Sequence, residues 1–337
     1  MRNIKQIFIL MIALFAGAGT SFSQSFTINW ENTIGGGEQD ELYDMSPTDD
    51  GGFILAGISR SNTGEDKSQG NFGGTDGWVV KIDTLGAVEW EAAYGDDNFE
   101  RIHSIIQTSD GGYIFNGFGV GDDDSYGYGD YWVVKLNANG QVEWDSLYGT
   151  DDRETGVAIL QTADNGYIVG GTRKADDLSS ENLWVFKLNA SGEIQWEQTY
   201  NNAVDEFASI DTTSDGGYVI GAVTSFPKED YWIIKTDQDG NVEWDTVFGG
   251  IGDDRLRVVK QTIDGGYVLG GHSDSPSQAN CVSDCFWIVK TDDTGNIEWE
   301  NTIGGDGTDL LYTMEQTTDG GYVLGGSVAS NASIHTD

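Results

Sequence analysis

Ten residues after each of six recurring tryptophans, or nine in the fourth copy, stands a carboxylate: Asp40, Glu100, Glu154, Asp205, Asp254 and Asp309. A carboxylate repeated at one position of a repeat has two uses. It can gather with its counterparts into an acidic, ligand-facing ring that attracts cations or polar molecules. It can also accept backbone N–H bonds from its own loop and do no more than cap it. Both readings are open at this level. A second acidic group, Asp122, Asp124 and Asp130 in a Gly- and Tyr-rich segment, offers hard oxygen ligands of the kind that suit Ca2+, although the spacing matches no standard calcium loop. A solvated acidic loop is the plainer account. No other cofactor is expected.

Nucleophilic chemistry finds little support. The histidines are His103, His272 and His335, and no Gly-x-Ser-x-Gly elbow occurs. Two opposed carboxylates can hydrolyse a glycosidic bond. With 56 acidic residues in the chain, however, some pair always looks suitable, so the signal has little specificity. Cys281 and Cys285 lie four apart in one loop. In an oxidising compartment they are expected to close a local disulfide, because two thiols with no nearby histidine make a poor zinc site.

The elements that must hold these residues follow from the repeat. Trp30, Trp90, Trp144, Trp196, Trp244 and Trp299 are separated by 60, 54, 52, 48 and 55 residues. Nearly all of the variation falls in one loop, between an Asp-Gly-Gly or Asp-Asn-Gly turn and the next Trp-Val-Val-Lys-like segment, as expected when rigid elements alternate with an exposed loop. Each unit reads as four short strands, exemplified by 100–108, 112–118, 131–136 and 141–148, with Asp-Gly turns between apolar runs signalling hairpins. In that register Lys81, Lys135, Lys235 and Lys290 face Glu89, Glu143, Glu243 and Glu298, cross-strand pairs worth ~0.2 to 1 kcal/mol each.

Strands such as Trp132-Val133-Val134 are apolar on both faces, and no stretch shows helical periodicity, so sheets must cover sheets. Radially stacked four-stranded blades satisfy this, and the expectation is an all-β β-propeller, six-bladed with an incomplete last blade. A stacked solenoid is the rival, disfavoured by the long and uneven repeat. The last blade would take strands one and two from the C-terminus and strand four, 26–34, from the N-terminus.

The recurring Asp-Gly-Gly-Tyr-(Ile/Val)-x-Gly, Trp-(Val/Ile)-(Val/Ile/Phe)-Lys and Gly-x-(Val/Ile)-(Glu/Gln)-Trp segments resemble a family of secreted bacterial β-propeller repeat proteins, over about residues 26–326. Many of its members carry a C-terminal sorting domain for type IX secretion, and the resemblance implies fold and location rather than chemistry. A weaker likeness runs to quinone-cofactor propeller repeats, whose Asp-x-x-x-Gly-x-x-x-Trp hairpin is similar to 136–144. Those dehydrogenases pair it with adjacent cysteines, a feature not matched by Cys281 and Cys285.

Residues 1–23, with Arg2 and Lys5 before an apolar run and small residues near Ser23, read as a cleavable secretory signal, leaving 24–337 as the propeller, secreted to the cell surface or medium. No later stretch is long and apolar enough for a membrane span. Without the signal, 15 basic residues stand against 56 acidic ones, a net charge near −41, which repels nucleic acid and anionic membranes. The expected function is therefore a monomeric extracellular binding or adhesion module that recognises glycan or protein through its variable acidic loop face. A propeller hydrolase or lyase acting on polysaccharide is the alternative, and catalysis is the less expected of the two.

Overall fold

A computed structural model describes residues 30–329, apart from 65, 121–128, 151–152, 175–180, 226 and 275–282. The described residues form strands and turns, and none of their helices is long and apolar enough to cross a membrane. The chain divides into two compact units, residues 25–201 and 202–337.

In the first unit, β1 (Asp40–Pro47), β2 (Phe53–Ser59), β3 (Asp76–Ile82) and β4 (Val88–Tyr94) make one antiparallel sheet in sequence order. The sheet of β5 (Arg101–Gln107), β6 (Tyr113–Gly119), β7 (Asp130–Leu136) and β8 (Val142–Tyr148) repeats it. A third copy starts with β9 (Arg153–Gln161), β10 (Tyr167–Lys174) and β11 (Glu181–Leu188). The long β12 (Ile194–Thr212) supplies its fourth strand, then continues into the second unit as strand one beside β13 (Tyr218–Thr224), β14 (Tyr231–Thr236) and β15 (Val242–Phe248). There β16 (Asp254–Gln261), β17 (Tyr267–Ser273), β18 (Cys285–Thr291) and β19 (Ile297–Ile303) form another four-stranded sheet, and β20 (Asp309–Gln316) pairs with β21 (Tyr322–Val328) as a two-stranded one. The four-strand repeat expected from spacing is present. Of the expected N-terminal strand over 26–34, residues 30–34 take no strand conformation, and 26–29 lie outside the described residues.

Sheets stack face to face within each unit. Ile54, Val79, Phe115, Trp132 and Val134 close one core between the first two sheets, and Val219, Ile233, Val259, Leu269 and Trp287 close its counterpart in the second unit. The recurring tryptophans sit at these junctions. Trp90 lies on Gly140 of the next sheet's hairpin, and Trp144 and Trp244 lie likewise on Gly192 and Gly295. Trp30 lies on Gly86 in the same way, without a strand around it.

A lysine clamp ties each four-stranded sheet at one end. Lys81 Nζ lies 2.9 Å from Asp50 and 2.8 Å from Glu89 and donates to the Ile82 carbonyl at 3.0 Å. Lys135 is held by Asp110 and Glu143, Lys235 by Asp215 and Glu243, and Lys290 by Asp264 and Glu298. In the third copy Gln195 replaces the glutamate, and Lys187 keeps Asp164. The lysine–glutamate pairs are those the spacing predicts; the third partner, the turn aspartate, is additional. Each turn aspartate also accepts the hydroxyl of a threonine two residues before it and the N–H of the glycine two residues after it.

The two turn glycines answer to different constraints. The first has positive φ in open space, as at Gly265 (φ 90°), and Asn165 takes that place at φ 64° in the third copy. The second passes against the neighbouring carbonyl and the ammonium, so that a Cβ on Gly266 would meet the Thr291 carbonyl and stand 2.6 Å from Lys290 Nζ. Gly265→Asn should therefore cost less than about 1 kcal/mol. Gly266→Ala should cost more than about 3 kcal/mol by forcing the clamp apart. Chemical denaturation of the two variants checks the ordering, and equal losses would refute this account of the turn.

Candidate functional site

The six repeated carboxylates stand at the starts of their strands one, opposite the clamp end. Asp40 Oδ2 accepts the Gly36 N–H at 2.7 Å, Glu100 Oε2 the Asp96 N–H at 3.1 Å, Asp254 Oδ2 the Gly250 N–H at 2.8 Å and Asp309 Oδ2 the Gly305 N–H at 3.0 Å. Each donor lies four residues upstream. Glu154 accepts the Thr150 hydroxyl at 2.8 Å with the same offset, and Arg173 Nε at 2.9 Å. Glu100, Glu154, Asp254 and Asp309 are buried. Apart from Asp205, these side chains tie down their own loops, the capping use of a repeated carboxylate. Asp205 departs from the set. Val204 pairs with Thr224, the register shifts before Glu206, and Asp205 is bulged outward and exposed. The nine-residue step in the fourth copy falls where strand four of the third copy runs directly on into strand one as the continuous β12.

The other expected sites are placed as follows. Asp130 opens β7 beside Gly149, while Asp122 and Asp124 lie outside the described residues. No group of three or more metal-ligating side chains occurs among the described residues. Cys285 is disulfide-bonded, and Cys281 lies outside the described residues.

Two buried polar groupings escape the sequence reading. In the first, Asp76 and Glu100 approach the same point beside Gly95, where Asp76 Oδ1 and Glu100 Oε1 have no hydrogen-bond partner. Glu100 is only 4% exposed and Asp76 fully enclosed. Burial pushes the Glu100 carboxyl up to about 8, with Asp96 and Asp76 adding like-charge repulsion. Burial raises Asp76 too. The pair is built to hold a proton near neutrality. In the second, Lys67 Nζ donates to Ser59 Oγ and to the Ser61 carbonyl, both at 2.8 Å, and Ser59 Oγ donates to Asp40 at 2.6 Å. A serine between lysine and aspartate resembles an activated nucleophile, yet Ser59 and Ser61 are fully enclosed and Lys67 nearly so. A substrate has no approach, and the grouping anchors the loop that follows β2.

An accessible concavity lies at the other end, among the tight turns. A cavity of about 460 Å³ between the second and third sheets is lined by Trp144, Tyr167, Asp110, Glu143, Asn165 and Ser191, together with Ser109, Lys135, Gln161 and Ala190. Trp144 and Tyr167 meet at 6.2 Å between ring centroids, and Ser109 N–H donates to Gln161 Oε1 at 2.7 Å across the junction. Burial opposes ionisation of Asp110, but the Thr108 hydroxyl, the Lys135 ammonium and the Gly112 N–H outweigh it and hold the carboxyl down at about 2. Glu143 is paired with the same lysine at 3.0 Å. The acids of this cavity are thus committed to the clamp. The remaining groups are an aromatic wall and neutral hydrogen-bonding side chains. The sequence signal for the cavity was faint: Asn165, which breaks the Asp-Gly-Gly pattern, stands on its rim.

No family model matches the chain, and no curated protein does. Among solved structures it is similar to a protein of unknown function from Dyadobacter fermentans, at 12% identity over 87% of this chain and 97% of that one, with a TM-score of 0.52. It is also similar to the quinohemoprotein alcohol dehydrogenase from Comamonas testosteroni, at 10% identity over 86% of this chain and 60% of that one, with a TM-score of 0.51. Together with the repeated four-stranded antiparallel sheets, these likenesses define the class: an all-β fold of the β-propeller type. At such identities they define the fold alone, and the function must be argued from the site.

A linkage test follows from Glu100. Its folded pKa of about 8 lies above the ordinary value of 4.5. The stabilisation of the protonated form is therefore complete below about pH 4.5 and is lost as pH rises through about 8. The Tm of the unmodified protein should fall further between pH 5 and about pH 8.5 than that of Glu100→Gln, which carries no ionisable group there. Parallel Tm-against-pH curves would show that Glu100 is ionised throughout.

Proposed function

We propose that this chain is a secreted, non-enzymatic binding module and that the groove between its second and third sheets takes a neutral, hydroxyl-rich ligand such as a glycan chain. The supporting observation is the pairing of Trp144 with the uncharged rim of Asn165, Ser191, Gln161 and Ser109 around one 460 Å³ concavity. Aromatic faces stack on the C–H faces of sugars, while amides and hydroxyls meet their hydroxyls. The groove lies at the turn end of the sheets, whereas sequence reasoning favoured the variable-loop end because loop length varies there.

The same chemistry argues against hydrolysis in the groove. A glycosidase needs one carboxyl kept protonated as general acid. Asp110, held at about 2, stays ionised at any physiological pH. The buried Asp76–Glu100 pair has the raised pKa that an acid needs, but it is sealed from solvent. Secretion, read from residues 1–23, belongs to the same proposal, as does export by the type IX route that the resembling family uses.

Ser191 is exposed on the groove rim, so Ser191→Trp should fill the groove and leave the fold intact. Retention of the protein on a polysaccharide panel should drop by about tenfold or more, with Tm unchanged. Retention unaffected by the substitution would move the site elsewhere. Release of soluble sugar that depends on a single carboxylate would replace binding by catalysis.

A further inference from the structure

The residue two before each strand-three tryptophan is Asp76, Asp130, Asn182, Asp230 or Cys285. In the first, second and fourth copies the aspartate at this place and the carboxylate that opens the next strand one, Glu100, Glu154 or Asp254, repel each other. The repulsion is relieved elsewhere. Glu154 takes Arg173 Nε at 2.9 Å, and Asp230 is partly exposed and lies in the field of Lys228. The third copy has the neutral Asn182, and in the fifth the disulfide-bonded Cys285 stands beside Asp309. At the first junction Arg60 Nε is turned to the Thr75 hydroxyl, and the Lys67 ammonium is spent on Ser59 and Ser61. Among the described residues neither Asp76 nor Glu100 forms an ion pair.

Both carboxylates of this first pair are enclosed. Each spends one oxygen on a main-chain N–H four residues upstream: Asp76 Oδ2 accepts from Phe72 at 2.7 Å, and Glu100 Oε2 from Asp96 at 3.1 Å. The other two oxygens, Asp76 Oδ1 and Glu100 Oε1, are buried without a hydrogen-bond partner. The side chains converge where Gly95 carries none, since a Cβ there would meet the Glu100 carboxylate and stand 3.1 Å from Asp76 Oδ1. The Glu100 N–H donates to the Thr75 carbonyl at 2.9 Å, so the two loops already touch. The exposed Asp96 adds its negative charge to both acids. Enclosed anionic oxygens that lack donors call for a positive charge between them.

We propose that Asp76 and Glu100 hold a hard divalent cation, Ca2+ foremost, between the loops that lead into β3 and β5, with Asp76 Oδ1 and Glu100 Oε1 as its carboxylate ligands. Two carboxylates, completed by main-chain carbonyls and water, make an all-oxygen shell that suits Ca2+ and disfavours metals seeking nitrogen or sulfur. The cation and the proton are alternative occupants of the same oxygens. Binding joins the long loop after β2 to the loop after β4 and stiffens the variable end of these sheets. The proposal does not depend on the groove between the second and third sheets, which lies at the turn end.

The test uses the full chain, stripped of metal by chelator and held at mildly alkaline pH. Ca2+ added to about 10 mM should bind saturably, raise Tm by a few degrees and slow amide exchange at 72–76 and 95–100. Glu100→Gln and Asp76→Asn should each weaken Ca2+ binding by about tenfold or more. In chelator their Tm should be no lower than that of the unmodified protein, because an amide removes the repulsion between the two acids. The exchange pattern of the unmodified chain carries the test even where a variant fails to fold. A Tm that follows pH but not Ca2+ would leave the pair to its proton and overturn the proposal. Protection confined to other segments, or a Ca2+ response undiminished in both variants, would do the same. A response kept in Glu100→Gln but lost when Asp122 and Asp124 are both changed to Asn would assign the cation to that acidic segment instead, against the proposal.

Discussion

The buried lysine at the end of strand three organises each sheet. An ammonium removed from water needs several partners at once. Here they come from three places in the chain: the strand one–two turn through its aspartate, strand four through its glutamate, and the lysine's own strand through the next carbonyl. The carboxylates stay about half exposed, so the net stabilisation per pair is modest. What the clamp supplies is registration. One lysine fixes the relation of four strands, and the turn glycine beside it is excluded from carrying a side chain.

From that constraint the distribution of charge follows. The chain is strongly acidic, yet many of its acids are engaged rather than free: aspartates in the clamps, carboxylates four residues after the N–H they cap, and acids that take the indole N–H of a strand-three tryptophan, as Glu91 does for Trp78 and Glu197 for Trp184. Carboxylates repeated in every copy are in this protein a signature of architecture. Positions that break the pattern are better guides to function, since they are released from the structural task. Asn165 for glycine, Gln195 for glutamate and Asp205 displaced by a bulge are three such breaks, and Asn165 borders the groove.

The two ends of the sheets divide the work differently from what loop length suggests. At the variable end, buried acids and the enclosed Lys67–Ser59–Asp40 grouping stiffen the described loops. At the turn end, short hairpins of constant length meet across a junction and leave a walled concavity, because the Trp144 ring leans on the Gly192 backbone instead of filling the space above Tyr167. Constant turns make a rigid rim, which favours binding with little ordering cost.

Sequence alone determined the strand count per repeat, the turn positions and the lysine–glutamate pairing, because alternation, Asp-Gly turns and fixed twelve-residue spacings are local properties. It also exposed the anomaly of the fourth copy, one residue short. Tertiary structure decided what the repeated carboxylates do. Whether an acid faces solvent or turns back on an N–H four residues upstream depends on how closely the next sheet packs, and no spacing records that distance. The burial that raises the pKa of Glu100 and the groove beside Trp144 are likewise set by packing that no local spacing records.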